Sequence, residues 1–483
     1  MQAKREHSAS DPTVTIIGGG VAGMSAACAL SEAGYRVQLI ERRSYLGGRA
    51  SSYLHLGVNE VIDNCQHVLF GCCTNLLGFY RRIGVADRIH WTSEMTMIEP
   101  GGRRSRLGPS PLPAPLHGLP KLLSAHAFTI ADKLALARAF KAMMKPGAAD
   151  DPSENLSNWL SRHKQTKGAI ERFWRLVIAS ALNADLDTIA VPYAAKVIRE
   201  LFMNSAVAGA MGMSSVPLSE LYAGAAEFLT QRNASVLFNT NVESLLWDAA
   251  GKWTIETRTG ALTSDYVVLA LPFEAMGKLL AHMPAANGAE RLANQVAQHQ
   301  HWPICSVHLW FDREITELEH AVLLDREIHW MYNKSLLQPW RKLNGSYVEL
   351  VQSASRRFAA LTREQAIAQA LAELAEFFPA VKDAKLEKAA LVKEVRATFG
   401  VPPRIDESRP SVDSPWPNLF LAGDWINTGW PSTMESAARA GHLAAEALGV
   451  RAGNSLQCLE PDLKPQGLMR FVSQPSARRY SSF

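Results

Sequence analysis

The chain has 483 residues, enough for two or three domains around a large core, which excludes a single small module. With 47% hydrophobic and 20% charged residues it is neither collagen-like nor wholly disordered. Fifty Lys plus Arg against forty-six Asp plus Glu leave +4, too small a surplus to mark a nucleic-acid binder. Six scattered cysteines give no disulfide framework, Cys72-Cys73 lacks zinc spacing, and no metal site is expected. The polar start, 1–12, runs into a strand without the apolar core of a secretory signal. No window offers about 18 uninterrupted apolar residues. A cytoplasmic location is expected.

Val14 to Ile17 read as a buried strand, followed by Gly18-Gly19-Gly20-Val21-Ala22-Gly23, a small-residue helix from Met24 to Ala33, and a second strand from Arg36 to Ile40. In such a turn Gly18 permits the reversal, Gly20 lets a pyrophosphate approach the backbone, and Gly23 lets helix and sheet pack closely. Glu41, closing the second strand, is placed to accept hydrogen bonds from adenosine ribose hydroxyls and to repel a 2′-phosphate. This motif leaves NAD and FAD open. Gly48 and Arg49 in Leu46-Gly47-Gly48-Arg49 add a second close backbone approach and a cation for the same diphosphate.

From Gly108 to Pro146 the character changes. Prolines 109, 111, 113, 115 and 120 form a linker, and Ala127 to Met144 reads as a helix with Ile130, Leu134, Ala137 and Phe140 or Lys141 near one stripe. Lys121, Lys133, Arg138, Lys141 and Lys145 stand against Asp132 alone, so this segment suits either an anionic membrane surface or a solvated basic face. Helices are expected over 155–163, 168–182, 191–205 and 219–231, and the run Met203 to Met213 reads as small and flexible.

A β-meander follows, through SVLFNTNVESLLWD, KWTIETRTG and DYVVLALP. Val242 is either where the chain runs beside an adenine or a core valine. Strands near 305–311, 328–333 and 346–351, with a helix over 363–378, predict a second sheet. Near the end, strand 419–422 delivers Gly423-Asp424, and Pro431 opens a long alanine-rich helix reaching Leu448. Asp424 is placed to hold a polyol hydroxyl, and the amides around Thr433 and Met434 face a ring edge that becomes anionic on reduction. A nicotinamide dinucleotide needs no such second site. The tail from Arg451 reads as poorly ordered.

Taken together these segments resemble the amine oxidase and phytoene desaturase superfamily of FAD enzymes. The resemblance implies an α/β fold: a Rossmann-like FAD-binding domain with an inserted α+β substrate domain. The implied division is 13–107, 219–275 and 396–450 for the FAD-binding parts, 108–218 for a helical substrate or membrane-facing part, 276–395 for a substrate sheet and helix, and 451–483 for a tail. Asp63-Asn64-Cys65-Gln66-His67-Val68-Leu69-Phe70-Gly71, followed by Asn75-Leu76-Leu77, is similar to the squalene-associated branch, the hydroxysqualene dehydroxylases of hopanoid biosynthesis. That branch implies reduction of hydroxysqualene to squalene by hydride from reduced FAD, with a carotenoid-type isoprenoid desaturase as the alternative.

Loss of hydroxide needs a proton donor, for which Asp63, His67 and Glu435 are the candidates chosen by chemistry. Amine oxidases carry a lysine beside the flavin on the strand that here reads Pro303 to Phe311, where there is none. Trp425 and Trp430 are read as hydrocarbon- or ring-packing residues. No cysteine lies in the flavin-end motif, so the FAD is expected to be non-covalent. The expected partners are a long-chain isoprenoid, an unidentified electron donor and an anionic membrane surface, with no nucleic acid.

Overall fold

The computed structural model describes residues 11–145, 147–248, 250–341 and 344–472. Three distant parts of the chain build one five-stranded parallel sheet, in the order Ser235–Leu237, Arg36–Ile40, Thr13–Ile17, Tyr266–Leu269, Leu419–Leu421. Strands covered on both faces read as continuous apolar runs, which is why these segments lack alternation. At the end of Thr13–Ile17 the chain reverses at Gly18, whose φ of 113° disfavours a side chain. It then enters the helix Val21–Glu32, buried from Val21 to Ser31. That helix is covered on its far side by the last long helix, Met434–Arg451, and Gly441 makes the contact close.

The expected opening of the last helix at Pro431 is corrected: Thr433 is the cap, its hydroxyl accepting the Ser436 amide at 3.2 Å. The meander Val242–Trp247, Trp253–Thr257, Gly260–Ser264 forms its own antiparallel sheet beside the parallel one.

A second, seven-stranded sheet has the order Leu386–Phe399, His301–Phe311, Ser346–Gln352, Trp330–Asn333, His320–Leu323, Met95–Ile98, Arg104–Leu107. The helix Arg363–Phe377 packs on one face, its start fixed by a Thr362–Gln365 capping box. Met95–Ile98 and Arg104–Leu107 belong to this sheet, so the expected boundary at 107 does not fall where the sheets divide. Nor does 395, which lies inside the strand Leu386–Phe399. Met211–Ser214, expected to be flexible, is a buried central strand between Val68–Phe70 and Ile89–Thr92.

The helical part runs through Ile130–Met143, Leu156–Arg162, 167–182 and 191–203, with wide π-type turns at Ile170–Ala179 and Arg199–Met203. The tail is also corrected. Residues to 472 pack down through Arg439 on Asp462, the Glu460 amide on Asn75 at 2.9 Å and Met469 at 1% exposure, while 473–483 lie outside the described residues. No helix among the described residues is long and apolar enough to cross a membrane.

Candidate active site

One cavity of about 1190 Å³ starts at the Gly18 turn, passes between the two sheets and ends among the helices of the 119–203 region. Ligand pockets usually occupy about 300–1,000 Å³, so this one has room for two molecules end to end. Gly18, Gly20, Glu41, Gly48, Arg49, Val242, Gly423, Asp424, Thr433 and Met434 all line it, although they come from the first, middle and last parts of the chain. Gly23 lies behind the wall, where an added Cβ would sit 1.9 Å from the Gly18 carbonyl oxygen. At Gly20 a Cβ would meet nothing within 4 Å; its backbone faces open cleft, the cradle a diphosphate needs.

Glu41 holds the turn as well as lining it: its carboxylate accepts from the Gly19 and Arg43 amides, each at 2.8 Å. Arg49 joins the two ends of the chain, donating to Asp424 Oδ1 at 2.5 Å and to the Ala397 carbonyl at 3.0 Å. Ser432 donates to the other Asp424 oxygen at 2.5 Å. Burial alone would raise the Asp424 carboxyl, but Arg49, Ser432 and Arg409 together hold it below the usual carboxylate range. A cation beside the diphosphate cleft and an anion at the sheet end, both on the cavity wall, fit the two polar stretches of FAD.

The three proton-donor candidates separate. Asp63 does not line the cavity. It is 3% exposed, accepts from Lys334 Nζ at 2.6 Å and Ser52 Oγ at 2.5 Å, and is held below the usual range because Lys334 and these bonds outweigh burial. It is an ion-paired carboxylate and no donor. Glu435 lines the cavity but is likewise committed: its oxygens accept the Asn75 and Leu76 amides at 3.2 and 2.8 Å and pair with Arg439 at 2.7 Å. It caps the helix Thr74–Arg82. His67 does line the cavity. Its Nδ1 donates to the Cys65 carbonyl at 2.9 Å, and burial lowers its pKa, so the ring is neutral and Nε2 is an acceptor.

Trp425 is fully buried with Nε1 donating to the Leu271 carbonyl at 2.8 Å, whereas Trp430 lines the cavity beneath Lys196, 4.6 Å above its ring. Of the strand His301–Phe311, Ile304 alone lines the cavity. All six cysteines are free.

Three groups escaped the sequence reading. Arg409, 3% exposed, ties the loop after Asp424 by donating to the Asp424 and Trp430 carbonyls at 3.0 and 2.8 Å; it sits in no motif. Lys334 lies just past a strand and gave no signal. Glu349 did give one: a carboxylate at the centre of the apolar run Ser346–Gln352 is costly unless it has work to do.

A parallel sheet fed from both chain ends, with a glycine turn and a second polar stretch around one cavity, defines a dinucleotide-binding oxidoreductase. The family model described as flavin containing amine oxidoreductase matches residues 21–449, and the chain belongs to that family. Its cofactor is FAD. The chain is 25% identical over 456 residues to a 15-cis-phytoene desaturase of Synechococcus elongatus, covering 90% of this chain and 95% of the relative. It is 24% identical over 479 residues to a zeta-carotene desaturase of Arabidopsis thaliana, covering 89% and 84%. Cyclohexylamine oxidase from Brevibacterium oxydans shares the fold with a TM-score of 0.65 at 17% identity, covering 92% of this chain and 100% of that one. An oxidoreductase from Methanosarcina mazei does so with a TM-score of 0.68 at 16% identity, covering 89% and 98%.

Proposed function

We propose that the protein is an FAD-dependent oxidoreductase of long-chain isoprenoids, acting as a carotenoid-type desaturase. The observation that carries this is the continuity of the cavity: the wall that begins at the dinucleotide turn ends among Leu136, Phe140, Phe173, Val177 and Phe202. Such a wall suits a hydrocarbon chain and excludes water from the reacting carbons. FAD, when bound, exchanges a hydride with the substrate. Arg49 and Asp424 would hold its polar stretches, and the capped start of Met434–Arg451 would present amides to its ring edge.

The sequence alone ranked hydroxysqualene dehydroxylation first; the phytoene and zeta-carotene desaturases among the relatives support the reverse order. Dehydroxylation stands as the second reading because neutral His67, with its acceptor Nε2, suits a substrate hydroxyl. Electron flow separates the two. Oxidised enzyme mixed anaerobically with phytoene is expected to bleach its flavin and yield a product two hydrogens lighter. Photoreduced enzyme that instead turns hydroxysqualene into squalene establishes the second reading, and bound FAD with neither turnover defeats both.

Substrate access is proposed to be from an anionic bilayer. Leu119, Leu123, Ile130 and Leu134 are 39, 58, 77 and 62% exposed, and Leu119, Leu122 and Leu136 from the same helices line the cavity. The stripe read from the sequence therefore faces outward at Ile130 and Leu134, flanked by Lys121 and Lys133. Co-sedimentation with phosphatidylglycerol vesicles is expected to fall at least about tenfold in the triple Leu123→Ser, Ile130→Ser, Leu134→Ser variant, since each buried side chain contributes about 1.5–3 kcal/mol. Unchanged sedimentation disproves the seat. The chain carries one dinucleotide turn, so its electron-exchange partner is proposed to be a separate species.

A further inference from the structure

Behind the segment 63–67 lies a buried polar cluster that neither the cofactor cleft nor the capping network uses. Glu349 is at its centre, with no exposed surface. Neither oxygen has a hydrogen-bond partner within 3.5 Å among the described residues; Lys334 Nζ at 3.6 Å and the Gln66 amide give only weak, longer contacts, and His308 Nε2 is 3.9 Å away. A native fold rarely leaves a buried carboxyl in that condition without a functional reason.

The groups packed around it come from five elements. The segment 63–67 contributes Asp63, Cys65 and Gln66; the strand His301–Phe311 contributes Ser306 and His308; Trp330–Asn333 contributes Tyr332; Lys334 follows it; and Tyr347 lies on the strand of Glu349 itself, with Arg341 beyond. His308 is neutral, pushed down to about 3 by burial and by Lys334, and its ring nitrogens are taken by Tyr347 at 2.8 Å and Ser306 at 3.0 Å.

Charge counting is then simple. Asp63 and Lys334 neutralise each other, so an ionised Glu349 leaves one uncompensated negative charge in the interior. Burial, only partly opposed by Lys334, raises the Glu349 carboxyl to about 7. The cluster therefore holds one exchangeable proton near neutrality.

A path to the substrate is built into the sheet. Tyr332 is the register partner of Glu349 on the neighbouring antiparallel strand, so the two side chains share a face at the closest cross-strand spacing. Tyr332 also lines the cavity. No hydrogen bond joins its hydroxyl to Glu349, so a proton passes between the two through a bridging water. Burial and the nearby Glu349 both raise its pKa, so it stays protonated at neutral pH.

We infer that Tyr332 and Glu349 are the proton-exchange arm of the site: the Tyr332 hydroxyl meets the reacting isoprenoid, and Glu349 stores the proton that passes through it. The inference rests on the isoprenoid reading of the cavity. In desaturation one C–H bond breaks with its electron pair leaving as hydride to oxidised FAD. The adjacent C–H bond gives its proton to the Tyr332 oxygen as Tyr332 passes its own, by way of the bridging water, to ionised Glu349, and the electron pair left behind becomes the new C=C bond. In dehydroxylation the chain runs backward: the C–O bond breaks, the leaving oxygen takes the Tyr332 proton and departs as water, Glu349 reprotonates Tyr332, and the carbon receives hydride from reduced FAD. Tyr332 is the catalytic residue and Glu349 the residue that supplies it.

The two directions need Glu349 in opposite states, so the pH profile carries a sign. Single-turnover rates are expected to rise through an inflection near pH 7 for desaturation and to fall through it for dehydroxylation. Tyr332→Phe and Glu349→Gln, checked for retained FAD, are each expected to slow the step by about 10²-fold, and Glu349→Gln to remove the inflection. An unchanged inflection in Glu349→Gln overturns the inference.

Infrared difference spectra of the full chain between pH 6 and pH 8 provide a readout independent of turnover. A carboxylic C=O band that titrates in the wild type and is missing from Glu349→Gln supports the stored proton; no such band overturns it. If the wild type turns over no isoprenoid in either direction, the substrate reading fails, and the infrared titration still decides the proton.

Discussion

Replacing Lys334 with alanine is expected to destabilise the protein by about 3–5 kcal/mol at pH 8, read as a lowered unfolding midpoint in urea. The ammonium is 1% exposed and donates to Asp63 Oδ2 at 2.6 Å and Gln66 Oε1 at 2.7 Å, with Glu349 at 3.6 Å. Two acceptors take two of its three N–H donors and Glu349 lies just beyond hydrogen-bond distance, so removing the ammonium deprives two buried carboxyls of their cation at once. The loss has a pH sign. Asp63, held low by Lys334 against burial, contributes stability that is present above its unfolded pKa and lost as the pH falls through its depressed value.

Glu349 runs the other way. Its raised carboxyl binds a proton in the fold that the unfolded chain has released, so its contribution is greatest below the unfolded pKa and is lost as the pH climbs through about 7. In Lys334→Ala both carboxyls escape the penalty by protonating, so the defect is expected to be smaller at pH 5 than at pH 8. Equal defects at both pH values contradict the charge assignment.

This cluster also marks where sequence reading stopped. The strand, glycine turn and helix at Thr13–Glu32 were legible because each step is local: an apolar run, a turn only glycine permits and a small-residue helix. The strand and helix at Leu419–Arg451 were legible for the same reason, with the helix opening three residues later than expected, at Met434, because Thr433 caps it. The residues expected to hold FAD, Gly23 apart, line one cavity, and they were legible because a diphosphate and a ring edge demand particular backbone groups.

Lys334 and Tyr332 had no such local mark, and Glu349 had only that of a carboxylate inside an apolar strand. Asp63 and Glu435 are proton-donor candidates by their chemistry, yet their partners, Lys334 and Asn75, lie 271 and 360 residues away. Tyr332 and Glu349 meet only through the register of two strands. That register also claims 95–107 for the second sheet: Met97 and Ile98 pair with Val322 and Leu323, which no count along the chain foretells.

The same dependence on distant contact makes Gly441 a sensitive small residue at the cofactor end. A Cβ there would lie 2.2 Å from the Ala22 carbonyl oxygen, 2.9 Å from Ser25 Cβ and 3.0 Å from the Ala26 amide nitrogen. Two of these are main-chain atoms of the helix Val21–Glu32 and have no rotamer to retreat into. Gly441→Ala must therefore push that helix and Met434–Arg451 apart. The first carries the diphosphate turn at its start, and the second carries the Thr433 and Met434 amides at its own.

Overpacking of this kind costs about 1–3 kcal/mol in stability. The larger effect is expected on the cofactor, because a shift of about 1 Å between two anchors of one rigid ligand weakens its hold by about 10²-fold. Fluorescence titration of apoprotein with FAD measures it. Gly277→Ala is the control: it sits on the exposed side of the helix Phe273–Leu280, where the nearest atom to an added Cβ is Val296 Cγ1 at 3.4 Å, and it should bind FAD normally while gaining up to about 1 kcal/mol of helix stability. Were Gly441→Ala to bind as tightly as Gly277→Ala, the cofactor would not be gripped from both ends of the chain across this helix pair.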